Sequence, residues 1–537
     1  MNKKSFILYL LFTVFFLFSC KSIVQPESVV KQLDYSDSDV VNNEKKNIKK
    51  LQQGDIVEAL YHAYFLKEDE VLKECIQLVE NQIQMALNDK DYLELDRLYL
   101  SLKAIDYETK VITQKQINNL RKLDLPGTQI SADKRPKNIQ DCINATVTMW
   151  VDKGLKIQNG AGIQDIVIGS GFFIDERGYL VTNYHVISSM VDSKYEGYSR
   201  LYIKLPSDPD TKIPAKVVGY DSVLDIALIK TDIEPPFCLS LGSSADLNVG
   251  DKISAIGTPI GLEGTLTSGI ISASDRKLNT MGSVFQLDAA VNSGNSGGPI
   301  VDENMKVQAI VFAGMLQYQG LNFAIPVEYL KQELPILYDG GEVLHTWIGA
   351  YGNTKKIRSE KTGVELYYTM PGGSAHFSKL QAGDIITELD GRKIFSLEDL
   401  QLTLMAYAPG SLVQCKYKNE DGIEKQTVLY LNKRPEAPGV AFFNSDIVNG
   451  SFIPLFGMEV YPSSTTNKKL YTITKVLNGT TADEMGFSEN DPVTIQKVEI
   501  DTKNEMIVAQ LYVQRRKKGF LDVSMVVGSP FDSPYYF

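Results

Sequence analysis

Ser296 lies in AAVNSGNSGGPIV, residues 289–301, where three glycines crowd one serine between two apolar runs. Glycine adopts backbone conformations closed to other residues, so such a run can wrap closely around a reactive group; it can equally be a turn. A serine hydroxyl becomes a useful nucleophile only when three conditions hold. A base takes its proton, a third group orients that base, and paired donors receive the oxyanion formed on attack. The remainder of the chain must therefore supply a histidine and a carboxylate.

There are four histidines in 537 residues. His62 sits among Ala and Tyr in a helical pattern, His345 at a domain junction, and His376 near the start of a short helix far downstream. His185 is placed differently: it follows the strand-like GYLVTN in TNYHVI, inside the same β-rich block as Ser296. Asp225, in SVLDIALIK, enters an apolar run, where an unpaired carboxylate costs roughly several kcal/mol. Alone it reads equally as a turn residue at a strand edge. With His185 it has a partner, because a carboxylate accepting from imidazole selects the tautomer whose other nitrogen is free to take a proton. GNSGG also satisfies G-x-S-x-G, but the nucleophile elbow of that motif needs a following helix and the order Ser, acid, His. Here GGPIV follows, poor material for a helix, and the usable acid and histidine lie upstream.

These residues must be positioned by strands. From about Asn138 the chain runs VIGSGFFID, GYLVTNYHVI, AKVVGY, DIALIK, DKISAIGTPIG, GTLTSGIIS, VFQLDAAV, PIVDE and VQAIVFAG at short spacing. Short strands with turn signals predict a barrel or sandwich rather than alternating βα units. The glycines of GSG (169–171) and GTPIG (257–261) read as turn-formers, since neither opens a helix that would cradle phosphate. NFAIPVEYLKQEL closes the block as a helix. Upstream, residues 51–130 form a helical region: GDIVEALYHAYFL and DYLELDRLYLSLKAI space apolar residues at three and four, as a small bundle or a weak helical-hairpin repeat. Residues 21–50 are polar and predict a flexible tether.

At the front, Lys3 and Lys4 precede thirteen apolar-dominated residues, Phe6 to Phe18, then Ser19 and Cys20. That run is short for a bilayer span and suits a signal-peptide core. LFSC resembles a bacterial lipobox, which makes residues 1–20 a lipoprotein-type signal peptide and Cys20 the lipid acceptor. The expected location is the cell envelope, on its periplasmic or surface face, as a membrane-anchored lipoprotein.

Bulk composition agrees with several ordinary domains: 43% hydrophobic, 23% charged. A net charge of -11 argues against nucleic acid as a partner. Five cysteines, at 20, 75, 142, 238 and 415, form no CxxC and no Cys/His cluster, so neither a metal site nor a disulfide framework is expected.

The order His185, Asp225, Ser296 on a β-rich block is that of the chymotrypsin-like proteases. TNYHVI, DIALIK, LGSSADLNVGDKISAIGTPIGLEGTLTSGIIS, DAAVNSGNSGGPIV and NFAIP together resemble the HtrA (Deg-type) serine proteases over about residues 139–335. The resemblance implies that His185, Asp225 and Ser296 are catalytic. It also implies an oxyanion hole formed by the N–H groups of Gly294 and Ser296, with Asn295 shaping the loop. An S1 pocket would be lined by Ala290, Val291, Phe312 and Gly314; no acidic residue stands there, which predicts cleavage after small or medium aliphatic residues.

Residues 342–435 resemble a PDZ domain, most specifically in LQAGDIITELDG. There WIGA (Trp347, Ile348, Gly349, Ala350) stands at the carboxylate-binding loop, and such domains add an extended peptide as a strand to a sheet edge. Residues 440–537 are similar to a second, degraded copy, with Asn490–Asp491 in place of Gly383–Asp384 and Pro492 following.

The expected fold is mainly β: a chymotrypsin-like double β-barrel protease domain followed by two PDZ-like α+β domains, with an N-terminal α-helical region. The expected function is an extracytoplasmic serine endopeptidase degrading unfolded or damaged envelope proteins, assembled as a trimer or larger and requiring no metal or cofactor. The rival reading is a protease-inactive chaperone, peptide-binding scaffold or surface adhesin.

Overall fold

The computed structural model describes residues 30–122, 125–127, 130–158, 160–192, 198–244, 247–258, 264–278, 281–292, 294–314, 321–466, 469–515 and 521–537. Residues 1–20, expected to be a signal peptide ending in Cys20, lie outside these. Among the described residues no helix is long and apolar enough to cross a membrane.

The described residues begin with five helices: α1 (Ser38–Leu51), α2 (Ile56–Leu66), α3 (Asp69–Asp89), α4 (Tyr92–Ala104) and α5 (Gln114–Lys122). Asp55 caps α2 by accepting from the N–H groups of Val57 and Glu58, satisfying donors a helix start leaves free. The tether expected over 21–50 is corrected by α1. That helix buries only Glu44 and Ile48 and is polar overall, so its composition reads as a tether although the apolar Val41, Ile48 and Leu51 keep a helical spacing. Leu60, Val79, Ile83, Leu95 and Leu98 form the bundle core, completed by Leu412, Val428 and Tyr430 of a later domain.

The next domain is two barrels. After α6 (Ile139–Asn144) come β1 (Thr146–Gln158), β2 (Ala161–Asp175), β3 (Tyr179–Thr182), α7 (Tyr184–Ile187), β4 (Arg200–Leu205), β5 (Asp208–Asp221) and β6 (Ile226–Thr231). Their order is β5-β4-β1-β2-β3-β6, and β5 pairing with β6 closes the ring. The second closed barrel is β7 (Lys252–Gly257), β8 (Thr265–Arg276), β9 (Val284–Leu287), β10 (Pro299–Val301), β11 (Val307–Gly314) and β12 (Asn322–Pro326), followed by α8 (Val327–Asp339). Successive strand residues point to opposite faces. Phe173, Leu180 and Ile229 fill the first barrel, while their neighbours Phe172, Val181 and Leu228 join Ile256, Ile310 and Ile325 in a separate core. Burial on both faces explains why these strands read as unbroken apolar runs.

The first PDZ-like domain comprises β13 (Gly341–Glu342), β14 (Thr346–Trp347), β15 (Ala350–Ile357), β16 (Glu360–Thr369), α9 (Ser374–Phe377), β17 (Ile385–Leu389), β18 (Arg392–Lys393), α10 (Leu397–Met405), β19 (Ser411–Lys418) and β20 (Glu424–Lys433). Its sheet runs β14-β20-β19-β17-β16-β15, while β13 instead pairs with β5 of the protease domain. A reciprocal capping box between Ser396 and Asp399 starts α10.

The second copy holds α11 (Pro438–Ser445), α12 (Phe452–Phe456), β21 (Met458–Pro462), β22 (Leu470–Val476), α13 (Thr481–Glu484), β23 (Pro492–Asp501), β24 (Met506–Arg515) and β25 (Leu521–Pro530), its sheet in sequence order. Asn490 reproduces Gly383. Both are left-handed (φ 67° and 94°), and each N–H donates at 2.8 Å to a strand carbonyl, of Ile473 and Leu366 respectively. Asparagine tolerates that conformation better than most side chains, and Pro492 takes the first position of its strand, where proline is accepted. What the copy lacks is the helix: a turn joins β23 directly to β24 where the first copy inserts α10. The expected extent 440–537 is also too long, because the sheet ends at Pro530 and the residues beyond 531 lie against the first copy.

Candidate active site

β3 ends at Thr182 and hands the chain to α7, which carries His185. Asp225 lies in the turn between β5 and β6. Its carboxylate is fully engaged by one residue: Oδ2 is 2.7 Å from His185 Nδ1, and Oδ1 accepts the His185 backbone N–H at 2.7 Å. With Nδ1 donating to the carboxylate, Nε2 is left as the basic nitrogen. Asp225 is buried and sits at φ 58°, a conformation costing on the order of 1–3 kcal/mol for such a residue. Asn183 helps hold it there, donating from Nδ2 to the Asp225 carbonyl at 2.8 Å. The His185 side chain is 47% exposed, so its free edge faces the site opening.

Ser296 comes from the loop between β9 and β10, which is clamped to β2 and β3. Ser296 O accepts the Ser170 N–H at 2.8 Å, and Ser170 Oγ donates to Gly294 O at 2.6 Å. Thr182 Oγ1 donates to Ser170 O at 2.7 Å, two residues before Tyr184 begins α7. A Cβ on Gly297 would stand 2.3 Å from Ser170 O and 2.4 Å from Thr182 Oγ1, and one on Gly298 2.2 Å from Ile256 O. These glycines are there for close approach, and the approach brings the serine's loop to the strand that delivers the histidine. Gly294 and Gly297 are both left-handed, at φ 104° and 84°. Asn295 is buried, with its N–H closing a turn onto Asn292 O at 3.0 Å. Ser296 Oγ has no hydrogen-bond partner among the described residues; such contacts often tighten only with substrate present.

Sequence reasoning missed Ser170, Thr182 and Asn183. GSG read as a turn, but Gly169 and Gly171 lie inside β2, where a Cβ on Gly169 would come within 2.7 Å of Val186. Isolated glycines inside a strand are the signal that was available, since they mark close backbone approach.

The structure does not bring the four expected S1 residues to one pocket. Val291 is buried inside the second barrel with Phe285, Leu287, Val311 and Ala324. Phe312, next along β11, turns to the opposite face and joins the core that holds Met281, Ile325 and Tyr329. Ala290 is exposed and its carbonyl accepts from Thr267 Oγ1 at 2.9 Å; Gly314 ends β11 opposite Asn322. Strand alternation separates residues that are adjacent in sequence.

The other histidines serve elsewhere. His62 Nδ1 meets Glu44 Oε1 at 2.5 Å in the helical bundle, His345 is buried against Asp221, and His376 lies in α9. Trp347, Ile348 and Ala350 are buried, and Gly349 turns at φ 75° with its carbonyl accepting the Met370 N–H at 2.7 Å. Gly457 repeats that turn in the second copy, at φ 79°, with its carbonyl accepting from Leu477.

Three stretches match family models: residues 39–124 a domain of unknown function, residues 169–310 the trypsin-like peptidase domain, and residues 439–531 the PDZ domain of the TP0546 family. A probable periplasmic serine endoprotease, DegP-like, of Bartonella henselae is 33% identical over 359 residues, 63% of this chain and 68% of that protein. Its counterpart in Rhizobium meliloti is 30% identical, over 68% of this chain and 74% of that protein. Among solved structures, the HtrA-type protease AlgW with tripeptide is 26% identical with a TM-score of 0.44, covering 55% of this chain and 95% of that one. The chain belongs to the HtrA family of DegP-like, PDZ-bearing serine endopeptidases.

Proposed function

We propose that His185, Asp225 and Ser296 form the catalytic triad of an extracytoplasmic endopeptidase that cleaves unfolded or damaged envelope proteins. The observation that carries this reading is the Asp225 carboxylate, both of whose oxygens are held by His185. Ser296 Oγ attacks the scissile carbonyl while His185 Nε2 takes its proton, then returns it to the departing amine. Gly294 and Ser296 N–H groups receive the oxyanion. Water, deprotonated by the same imidazole, then attacks the ester carbonyl, and the proton returned to Ser296 Oγ frees the enzyme. The first PDZ-like domain binds substrate or activating peptides, and the periplasmic naming of the relatives supports an envelope location.

Casein turnover tests the triad. Ser296→Ala is expected to reduce it by about 10^4- to 10^6-fold, and His185→Ala to match that loss without adding to it. A protease-inactive chaperone or scaffold gives the same background rate for all three proteins. In the same reading Cys20 carries the lipid that anchors the chain. Metabolic labelling with a palmitate analogue should mark the natural sequence and leave Cys20→Ser unlabelled; equal labelling removes Cys20 as the acceptor.

A further inference from the structure

Residues 532–537 do not belong to the sheet that precedes them. Beyond β25 the chain crosses to the first PDZ-like domain and runs antiparallel beside β15. Ala350 N–H donates to Phe537 O at 2.8 Å, Phe537 N–H donates to Ala350 O at 3.0 Å, and Gly352 N–H donates to Tyr535 O at 3.3 Å, with Tyr351 bridged to Tyr536 between them. This is the pattern of a strand added to an open sheet edge. From α10, across the groove, Gln401 Nε2 donates to Pro534 O at 2.7 Å.

The side chains of the segment are held as firmly as its backbone. Phe537 is 2% exposed in the core that holds Ile348, Leu397, Leu400 and Leu404. Its ring runs so close to β15 that a Cβ on Gly352 would stand 3.2 Å from Phe537 Cζ. Tyr536 turns the other way, into a cluster with Trp347, Tyr351 and Phe442, and its hydroxyl donates to Pro454 O at 2.9 Å. The buried Arg434 fixes the segment's start by a two-pronged contact with Asp532, at 2.6 and 2.8 Å. From the protease domain, Lys277 lies 4.9 Å from the centre of the Tyr535 ring.

We propose that the groove between β15 and α10 has a resident ligand, residues 533–537 of its own chain, and that a peptide binding in trans must displace it. The displacing peptide shares its chemistry: an extended segment that buries one aromatic or large apolar side chain at the Phe537 position and a second aromatic at the Tyr536 position. A tethered ligand acts at an effective concentration on the order of 1 mM, so a tail whose intrinsic dissociation constant is about 10 μM raises the apparent dissociation constant of any competitor roughly 100-fold. Ordinary apolar peptides are thereby excluded, and only an abundant or better-fitting one opens the groove. This inference rests on the PDZ-like reading of the domain and not on the triad, and its readout is binding, not proteolysis.

Two measurements on the full chain test it. In the unmodified protein, the Ala350 and Gly352 amides, which donate to the tail, are expected to be protected from hydrogen exchange; exchange at the rate of an open edge overturns the proposal. A fluorescein-labelled DSPYYF peptide is expected to bind a Tyr536→Ala/Phe537→Ala variant at least tenfold more tightly than the natural sequence. Equal affinities, or no binding to a folded variant, also overturn it. Should the variant not fold, the exchange result decides alone.

Discussion

Ser170 is the residue whose removal distinguishes a positioned nucleophile from a merely present one. Its hydroxyl donates to Gly294 O and accepts the Thr258 N–H at 2.9 Å, all inside a buried site. Ser170→Ala leaves the Gly294 carbonyl and the Thr258 amide short of a partner, a loss of about 1–3 kcal/mol. Because Gly294 is assigned to the oxyanion hole, kcat is expected to fall by more than tenfold with KM nearly unchanged. A variant that loses stability but keeps its kcat refutes the positioning role. The proposed triad was legible in the sequence because four histidines leave few choices of base, and the acid and the serine lie in the same β-rich block. Ser170 and Asn183 were not, because serine and asparagine are common and only register places them. The S1 residues were hard to place for a related reason: where Phe312 faces depends on strand alternation and on the irregularity between Val311 and Ala313, and where Val291 faces depends on the course of the loop after β9.

At the scale of elements, β5, α8 and the segment entering β14 meet at a buried polar cluster. Asp221 accepts from Val223 N–H, Leu224 N–H and His345 Nε2, the last at 2.8 Å, while the Glu333 carboxyl is fully buried beside it. Burial and then the Asp221 charge push Glu333 well above the usual carboxylate range; Asp221 stays below its own, since His345 and the backbone donors outweigh its burial. The signs are opposite. Glu333 holds its proton more tightly folded than unfolded, so its contribution is complete below about pH 4.5 and is lost as pH rises. Asp221 contributes above about pH 3.8 and loses that contribution as pH falls. Glu333→Gln removes the first titration while keeping shape. As pH rises above about 4.5 the variant should therefore lose less stability than the natural protein. Melting temperatures measured over that rise give the answer; parallel curves would place Glu333 outside the linkage. Such a junction was invisible in sequence, where Asp221, Glu333 and His345 are far apart. The second PDZ-like copy was more legible, through Asn490–Asp491 in place of Gly383–Asp384; its missing helix went unread, although the few residues between β23 and β24, TKNE within VEIDTKNEMIV, leave no room for a counterpart of α10.

For the whole molecule, the domains are joined through the first PDZ-like sheet. One of its edges receives residues 533–537 and one of its faces receives the helical bundle. Tyr61 Oη lies 2.6 Å from Ser378 Oγ, Tyr430 Oη donates to Asp55 Oδ2 at 2.7 Å, Arg97 donates to Gly410 O at 2.8 Å, and Leu412 N–H donates to Ser101 Oγ at 3.1 Å. Leu412 and Val428 are at most 1% exposed only because the helices cover them. Uncovering side chains of this size costs about 1.5–3 kcal/mol each, so bundle and sheet should lose structure together. Leu60→Asp, in the bundle core, places a charge where Leu60 is 0% exposed and should unfold the helices. Amide protection in β19 and β20 is then expected to fall with that of α2 and α4, while the second barrel, which shares no core with the bundle, keeps its own. Full protection of β19 and β20 beside an unfolded bundle would mean the two are merely in contact and not one cooperative unit.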